Sequence, residues 1–472
     1  MTGAATAAPR PAGTADLPAP GAHVHLMGIG GAGMRGLALL FDRAGYVVSG
    51  CDRAPADALG DLAAKGIRVE RGHSIAHLSG VDLLVRSSAV PADEPEVVGA
   101  EVAGIPVMRR ARALGALLNG QAMVGVAGTH GKTTITAMTG HAAAAAGLDP
   151  LVLVGGRVDA WKGFTRLGDG PAIVEADEFD RSFLELHPTL AVISSLEPEH
   201  LDTYGDWESL RSAFADFAGR TRNAEGLIYC RDDEGARKLA EACGFSGTGR
   251  GFGYGFGDGA WCRLEEAGPR TLRLSWPDGT VDLTLRVPGR HNQLNAAAAF
   301  LAALRLGGDP RAAARGLGEF RGVARRLEMI AAWPDLTVFD DYAHHPTEVA
   351  ASLAALREAY PDARLTVVFQ PHLFTRTRDF ADAFTRALTT ADEARVLPIY
   401  PARETPLPGV TSELIIGGAG ATAAPIDRKD ARELVPAEVG AGEAVLVFMG
   451  AGDVTDLAHA AVQRRAGDAV GT

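Results

Sequence analysis

Three short segments carry residue types suited to metal-assisted phosphate chemistry. Gly128-Thr-His-Gly-Lys132-Thr133 follows the apolar run Met123-Val-Gly-Val-Ala127 and opens an alanine-rich stretch that ends near Gly147. A strand, a glycine turn and a helix N-terminus in that order make a phosphate loop. Its backbone N–H groups face phosphate oxygens, Lys132 reaches the β/γ-phosphates, and the Thr133 hydroxyl holds Mg²⁺. The loop is a variant, because the strict pattern places a glycine where this chain has Val126, with Gly125 and Gly128 instead. Such a site also needs carboxylates, since Mg²⁺ takes oxygen ligands in octahedral geometry. Glu175-Ala-Asp177-Glu178 follows Pro171-Ala-Ile-Val174, and Glu197-Pro-Glu199-His200 follows Leu190-Ala-Val-Ile-Ser-Ser195. Acids thus fall at successive strand ends, where ligands of α/β sheets converge. Each acidic segment alone reads equally as a solvated loop, and His200 alone as a hydrogen-bonded loop residue, histidine being an uncommon magnesium ligand.

The elements that must position these groups begin far upstream. His23-Val-His-Leu-Met27 runs into Gly28-Ile-Gly30-Gly31-Ala-Gly33, a helix follows from about Met34 to Ala44, and Tyr46-Val-Val-Ser49 leads to Asp52. This is the dinucleotide-binding fingerprint with its acidic residue, and at face value it describes a nicotinamide oxidoreductase. Its physics is more general. A diphosphate on a helix N-terminus, with a carboxylate placed for a ribose hydroxyl, suits any nucleotide diphosphate. Val81-Asp-Leu-Leu-Val85, ending at Ser87 and Ser88, and Ile105-Pro-Val107 complete an α/β domain whose edge falls near Leu118 to Gly120.

Downstream of the phosphate loop, Thr271-Leu-Arg-Leu-Ser-Trp276, the turn Pro277-Asp278-Gly279 and Val281-Asp-Leu-Thr-Leu-Arg-Val287 read as a hairpin. Pro288-Gly-Arg-His291-Asn292-Gln-Leu-Asn295 opens an alanine-rich helix, where Asn292 reads as a cap as readily as a ligand group. Beyond Arg325-Arg326, strands and helices alternate again through Leu336–Phe339, Leu365–Phe369, Ala394–Leu397 and Val445–Phe448. Polar groups crowd two of these strand ends: Asp340-Asp341-Tyr-Ala-His344-His345-Pro-Thr-Glu348 and Gln370-Pro-His372-Leu-Phe-Thr-Arg376-Thr-Arg378. Two such clusters where ligands bind point to function more than to surface histidines.

Composition narrows the classes. A chain of 472 residues, 47% apolar and 22% charged, is an ordinary globular protein of about two to four domains. Its net charge of −12 argues against a general nucleic-acid or anionic-membrane surface. Five of the 46 Lys and Arg residues are lysines (Lys65, Lys132, Lys162, Lys238 and Lys429), so a lysine inside a phosphate loop stands out. Cys51, Cys230, Cys243 and Cys262 have no C-x-x-C spacing, which indicates neither a disulfide framework nor a structural zinc. No apolar run is long enough to span a membrane. The first 22 residues, rich in Ala, Pro, Gly and Thr, lack the basic start and apolar core of a signal peptide and read as a disordered tail on a cytoplasmic protein.

Further motifs complete an ordered set: Ser87-Ser-Ala, Glu-Pro-Glu-His-Leu-Asp202, Gly-Arg-His-Asn-Gln-Leu-Asn295-Ala, Arg-Arg326-Leu-Glu, Phe-Gln-Pro-His372, Gly409-Val-Thr-Ser and Met449-Gly-Ala-Gly-Asp453. With both glycine loops and the acidic segments in this order, the sequence resembles the Mur ligases from His23 to Asp456, a family whose phosphate loop has the Gly-x-x-Gly-Thr-x-Gly-Lys-Thr form. The resemblance implies an α/β protein of three domains after a tail at 1–22. These are a Rossmann-like UDP-substrate-binding domain at 23–118, a central P-loop ATPase-like domain with an added hairpin at 119–324, and a Rossmann-like domain at 325–472 that receives the amino acid. It implies an ATP-dependent carboxylate-amine ligase of cytoplasmic peptidoglycan precursor synthesis, joining L-alanine to the lactyl carboxylate of UDP-N-acetylmuramate through an acyl phosphate.

By the same matching, Gly28, Gly30, Gly31, Gly33, Asp52, Ser87 and Ser88 hold the UDP substrate. Gly128, Thr129, His130, Gly131, Lys132, Thr133 and Thr134 hold ATP, with Asn295 at adenine, Asp341 at the ribose and Arg326 at the phosphates. Thr133, Glu175 and His200 hold metal, a pair of Mg²⁺ ions with Mn²⁺ as the alternative, and His344, His372 and Arg376 meet the amino acid. Lys132, His200 and Arg326 are catalytic, together with His344 or His345 as the base that takes the amine proton. The implied partners are UDP-N-acetylmuramate, L-alanine and ATP, with no nucleic acid and no membrane insertion, for a monomer or weak homodimer. Three departures stand out. Arg35 occupies a position where relatives often have a small serine, crowding the diphosphate or pairing with it. Leu373 follows His372 where some relatives have arginine. Ala215 stands where sibling ligases use a carbamylated lysine, which favours the L-alanine-adding branch.

Overall fold

The computed structural model describes residues 16–53, 60–199, 201–221, 226–268, 270–402, 404–419, 422–437 and 443–470. Apolar runs and the glycine turns that end them generate three sheets. The first contains β1 (His23–Met27), β2 (Val47–Asp52), β3 (Arg68–Arg71), β4 (Leu83–Arg86) and β5 (Val107–Arg109), all parallel, in the order β3-β2-β1-β4-β5. Strand order reverses at β1, so its carboxyl end is a topological switch point, and the first glycine loop leaves from there. Residues 1–15 of the expected tail lie outside the described residues. Residues 16–22, expected to share in it, pack on this sheet instead: Leu17 is buried, and the Tyr46 hydroxyl donates to the Pro18 carbonyl at 2.8 Å.

The second sheet is built from β6 (Met123–Ala127), β7 (Leu151–Val158), β8 (Gly163–Arg166), β9 (Ala172–Glu175), β10 (Leu190–Ile193), β11 (Gly226–Cys230), β12 (Gly251–Gly255), β13 (Cys262–Gly268), β14 (Thr271–Trp276) and β15 (Gly279–Thr284). Their order is β15-β14-β13-β12-β11-β10-β6-β9-β7-β8. The central strands are parallel and nearly all their side chains are buried, as strands covered on both faces require. The expected hairpin is β14–β15, with Trp276 opposite Gly279. Its second strand stops at Thr284, and an antiparallel partner not foreseen, β13, joins it to the parallel ladder. Behind the sheet, Phe183 stacks on Phe217 at 5.0 Å and meets Phe214 edge-on at 5.1 Å.

The third sheet comprises β16 (Glu328–Ala332), β17 (Leu336–Asp341), β18 (Arg364–Phe369), β19 (Glu393–Val396), β20 (Ala423–Pro425) and β21 (Ala444–Met449), in the order β16-β17-β21-β18-β19-β20 with only β16 antiparallel. Two compact units result: Met1–Thr284 with Leu294–Glu319 contains the first two sheets, and Leu285–Gln293 with Phe320–Thr472 contains the third. Among the described residues, no helix is long and apolar enough to cross a membrane.

Candidate active site

β6 delivers the second glycine loop to the N-terminus of the helix Lys132–Ala145, whose first residue follows Gly131 at φ +83°. Gly128 has φ +136°, and a Cβ there would collide with Ser194, so glycine is required. The end of β10 clasps the loop: Thr129 N–H donates to the Ser195 carbonyl at 3.0 Å, His130 N–H to Ser195 Oγ at 2.9 Å, and Glu197 N–H to Thr129 Oγ1 at 2.9 Å. Lys132 Nζ donates to the Gly128 carbonyl and to Glu178 Oε1, both at 2.7 Å. Burial works against the Lys132 ammonium, but Glu178 and then Asp177 outweigh it and hold the amine above the usual lysine range. Thr133 Oγ1 donates to Glu175 Oε1 at 2.7 Å, and Glu175 Oε2 accepts from Gly155 N–H at 2.7 Å. Asn295 brings Oδ1 against Gly131, close enough that a methyl there would lie 2.7 Å away. Thr134 is buried in the first turn of the helix. His200 lies outside the described residues.

In the first sheet, Asp52 at the end of β2 accepts from Gly30 N–H at 2.8 Å, so the carboxylate of the fingerprint fixes the loop itself. A Cβ on Gly30 would come within 2.8 Å of that carboxylate. Ser87, past β4, packs against Gly28, and Ser88 is exposed. Arg35 neither blocks the loop nor points away: its Nε donates to the Gly30 carbonyl at 3.0 Å, and its guanidinium lies 5.7 Å from the Phe164 ring. A cavity of about 230 Å³ joins this loop to the phosphate-loop carboxylates, lined by Gly31, Gly33, Ser87 and Arg110 together with Glu175 and Asp177. Arg110 was not singled out in the sequence. Its guanidinium lies over Gly33, within 3.0 Å of where a methyl would project. The Ser194-Ser195 pair that clasps the phosphate loop was likewise read only as a strand end.

The second unit gathers a separate cluster from the loops after β17 and β18. His344 Nδ1 lies 3.0 Å from the Tyr342 carbonyl and 3.2 Å from Glu348 Oε2. The rings of His344 and His372 meet edge-on at 5.8 Å, His372 stacks with Tyr400 at 5.8 Å, and Arg376 Nη1 is 3.3 Å from His372 Nδ1. His344, His372 and Arg376 therefore converge. Leu373, at φ +70°, starts the helix Phe374–Leu388 that carries Arg376. His345 turns elsewhere, 3% exposed, with its ring 5.1 Å from Phe380. Arg325 and Arg326 lie 4.8 and 5.0 Å from the Tyr342 ring, and Arg326 is 3.9 Å from Glu348. Asp341 Oδ1 accepts from Leu327 and Ala343 N–H, each at 3.3 Å, and burial pushes its carboxyl up to about 6.

Three family models match consecutive stretches of the chain: the Mur ligase family catalytic domain over residues 23–122, the Mur ligase middle domain over 126–303, and the Mur ligase glutamate ligase domain over 325–452. A UDP-N-acetylmuramate–L-alanine ligase of Paenarthrobacter aurescens is 44% identical over 433 residues, covering 92% of this chain and 94% of its own. One of the same name from Kineococcus radiotolerans is 45% identical with the same coverage. The crystal structure of a UDP-N-acetylmuramate-alanine ligase from Thermotoga maritima, 28% identical, superposes with a TM-score of 0.78 over 94% of this chain and 99% of that one. Two glycine loops, acids at adjoining strand ends and near-complete coverage by curated relatives agree, and the chain belongs to the Mur ligase family.

Proposed function

We propose that the protein is the ligase that joins L-alanine to UDP-N-acetylmuramate at the expense of ATP, in the cytoplasmic assembly of peptidoglycan precursors. The observation that carries this reading is the cavity running from the first glycine loop to Glu175 and Asp177, beside Lys132 and Thr133. A nucleotide sugar seated by its diphosphate at Gly28–Gly33 projects the rest of its length along such a cavity toward the γ-phosphate of ATP.

The donor set at the phosphate loop fits Mg²⁺, with Mn²⁺ as the alternative. The Thr133 hydroxyl, the Glu175 carboxylate and the nearby Asp177 are all hard oxygen donors. Bound there, the ion neutralises charge on the transferring phosphoryl group. Lys132 binds the phosphate oxygens and Asn295 lies on the loop for the base. The lactyl carboxylate oxygen attacks the γ-phosphorus, the bond to the β-phosphate oxygen breaks, and ADP leaves an acyl phosphate. The L-alanine nitrogen then attacks the acyl carbon, the bond to the phosphate oxygen breaks, and phosphate departs. Arg376 and His372 hold the amino-acid carboxylate. His344, 18% exposed and set against Glu348, takes the amine proton, whereas His345 is sealed beside Phe380.

Phosphate release from ATP, Mg²⁺ and UDP-N-acetylmuramate, compared across L-alanine, glycine, L-serine, D-glutamate and the L-Ala-D-Glu-diaminopimelate tripeptide, tests the proposal. Release requiring both the sugar nucleotide and L-alanine is expected. Release supported by the tripeptide alone, or indifferent to the acceptor, sinks it.

A further inference from the structure

The first sheet contains a cluster for which the ligase reaction has no use. His25 on β1, Cys51 on β2, His77 in the 3-10 turn Ile75–Leu78 and Glu96 in the helix Pro95–Val102 each bring one ligand atom within 4.8 Å of the others. His25, Cys51 and Glu96 are fully buried, and the His77 side chain is 14% exposed. Glu96 Oε1 lies 3.2 Å from His25 Nε2 and 3.1 Å from His77 Nδ1. Glu96 Oε2 accepts from Ser74 N–H at 2.9 Å and lies 3.4 Å from Cys51 Sγ. His73 borders the group, with Nδ1 3.1 Å from Cys51 Sγ and 3.8 Å from Glu96 Oε2.

The plainer account is a buried carboxylate satisfied by hydrogen bonds. His25 argues against it. Its Nδ1 is 2.8 Å from Ser49 Oγ, which also lies 2.7 Å from His23 Nε2, so the ring is oriented from behind. Its Nε2 then points into the cluster, buried, where its one near polar neighbour, Glu96 Oε1 at 3.2 Å, is off the line of a well-formed hydrogen bond. A histidine fixed through one nitrogen and presenting the other to a carboxylate and a sulfur is the arrangement of a metal ligand with its outer-shell support. Nitrogen and oxygen ligands at 2.0–2.2 Å around a tetrahedral zinc ion are separated by about 3.3–3.5 Å, within a few tenths of the distances here. A thiol, two imidazoles and one carboxylate suit a borderline transition metal and not magnesium.

We propose that His25, Cys51, His77 and Glu96 form a binding site for a divalent transition-metal ion, Zn²⁺ by preference, distinct from the phosphate-loop site. On binding, the Cys51 thiol loses its proton to solvent and sulfur, two nitrogens and a carboxylate oxygen coordinate the ion. The site ties β1, β2, the 3-10 turn and the helix at one point. Cys51 immediately precedes Asp52, so the ion fixes the strand end that holds Gly30.

Titration of the chelator-stripped full-length protein with Co²⁺, in excess Mg²⁺ to occupy oxygen sites, tests this. One equivalent is expected to give tetrahedral d–d bands and a thiolate-to-cobalt charge-transfer band, both displaced by one equivalent of Zn²⁺. Cys51→Ser is expected to abolish the charge-transfer band, and His77→Asn to weaken binding by at least about tenfold. A wild-type protein with no such band overturns the proposal without recourse to any variant. So does a band that survives in Cys51→Ser, which would come from Cys230, Cys243 or Cys262.

Discussion

The two glycine loops of the first unit use one backbone device in two ways. Each leaves a buried parallel strand and opens a helix, Ala32–Arg43 in one case and Lys132–Ala145 in the other. In the first loop, the nearby carboxylate, Asp52, accepts from a backbone N–H and locks the loop's own shape. In the second, Glu178 and Glu175 accept from the side chains of Lys132 and Thr133. On the proposed function, the first would be a fixed seat for a diphosphate. The second holds a cation and a hydroxyl on carboxylates for which phosphate and metal would then compete, as a site that must follow moving charge requires.

Removing the cation from the second loop is expected to have the largest effect. Lys132→Ala is expected to lower kcat by at least ~10³-fold while UDP-N-acetylmuramate binding, measured calorimetrically, stays near the wild-type value. Turnover within tenfold of wild type would erase the contrast. A third carboxylate, Asp341, also serves backbone N–H groups, as Asp52 does, but deeper. Its folded-state value near 6 lies above the ordinary 3.8, so the native state binds the proton more tightly and stability falls as pH rises between those values. Asp341→Asn does not titrate. Its stability relative to wild type should therefore improve by roughly 2 kcal/mol from pH 4 to pH 6 and level off above about pH 7, by denaturant unfolding. A difference independent of pH would mean that the carboxylate is not disfavoured by its site.

The first loop is probed by crowding its clasp. Gly30→Ala places a methyl against Asp52 and should raise KM for UDP-N-acetylmuramate about tenfold or more, leaving kcat at saturation within threefold. A fall in kcat at unchanged KM would show that this loop takes part in the chemical step. The smallest effect is expected at Glu178→Gln, where the weakened hold on Lys132 should tighten ADP binding by ~5-fold. Unchanged ADP affinity would show that Glu178 and phosphate do not compete.

The chemistry-bearing strand ends were legible because each couples an apolar run to a polar turn within a few residues. β6 with its loop, β9 with Glu175, and β17 and β18 with their histidines all announce themselves locally. What escaped notice depends on tertiary contact. β12, Gly-Phe-Gly-Tyr-Gly, looks like loop sequence, yet it is a buried strand because Gly253 lies against the Tyr229 ring, where a side chain would not fit. β7 was hidden by Gly155 and Gly156, the former needed because the Glu175 carboxylate sits 2.9 Å from where its Cβ would be. The Cys51 cluster was missed because spacing rules look for neighbours, and its members come from four elements up to 71 positions apart. His344 and His345 are adjacent in sequence, so only the fold separates the one facing His372 from the one facing Phe380.

The Lys132–Glu178 pair bears on how the enzyme lets go of its product. Glu178 is tethered to the same sheet as the ammonium it contacts, so it competes at an effective concentration set by the protein itself. On the proposed function, an incoming triphosphate would displace it through its several charged oxygens. Once the γ-phosphate had been handed on, the nucleotide left behind would bring fewer charges to the same contest, and the carboxylate would reclose on the lysine. The affinity of the loop would thus track the progress of the reaction, strongest before transfer and weakest after it.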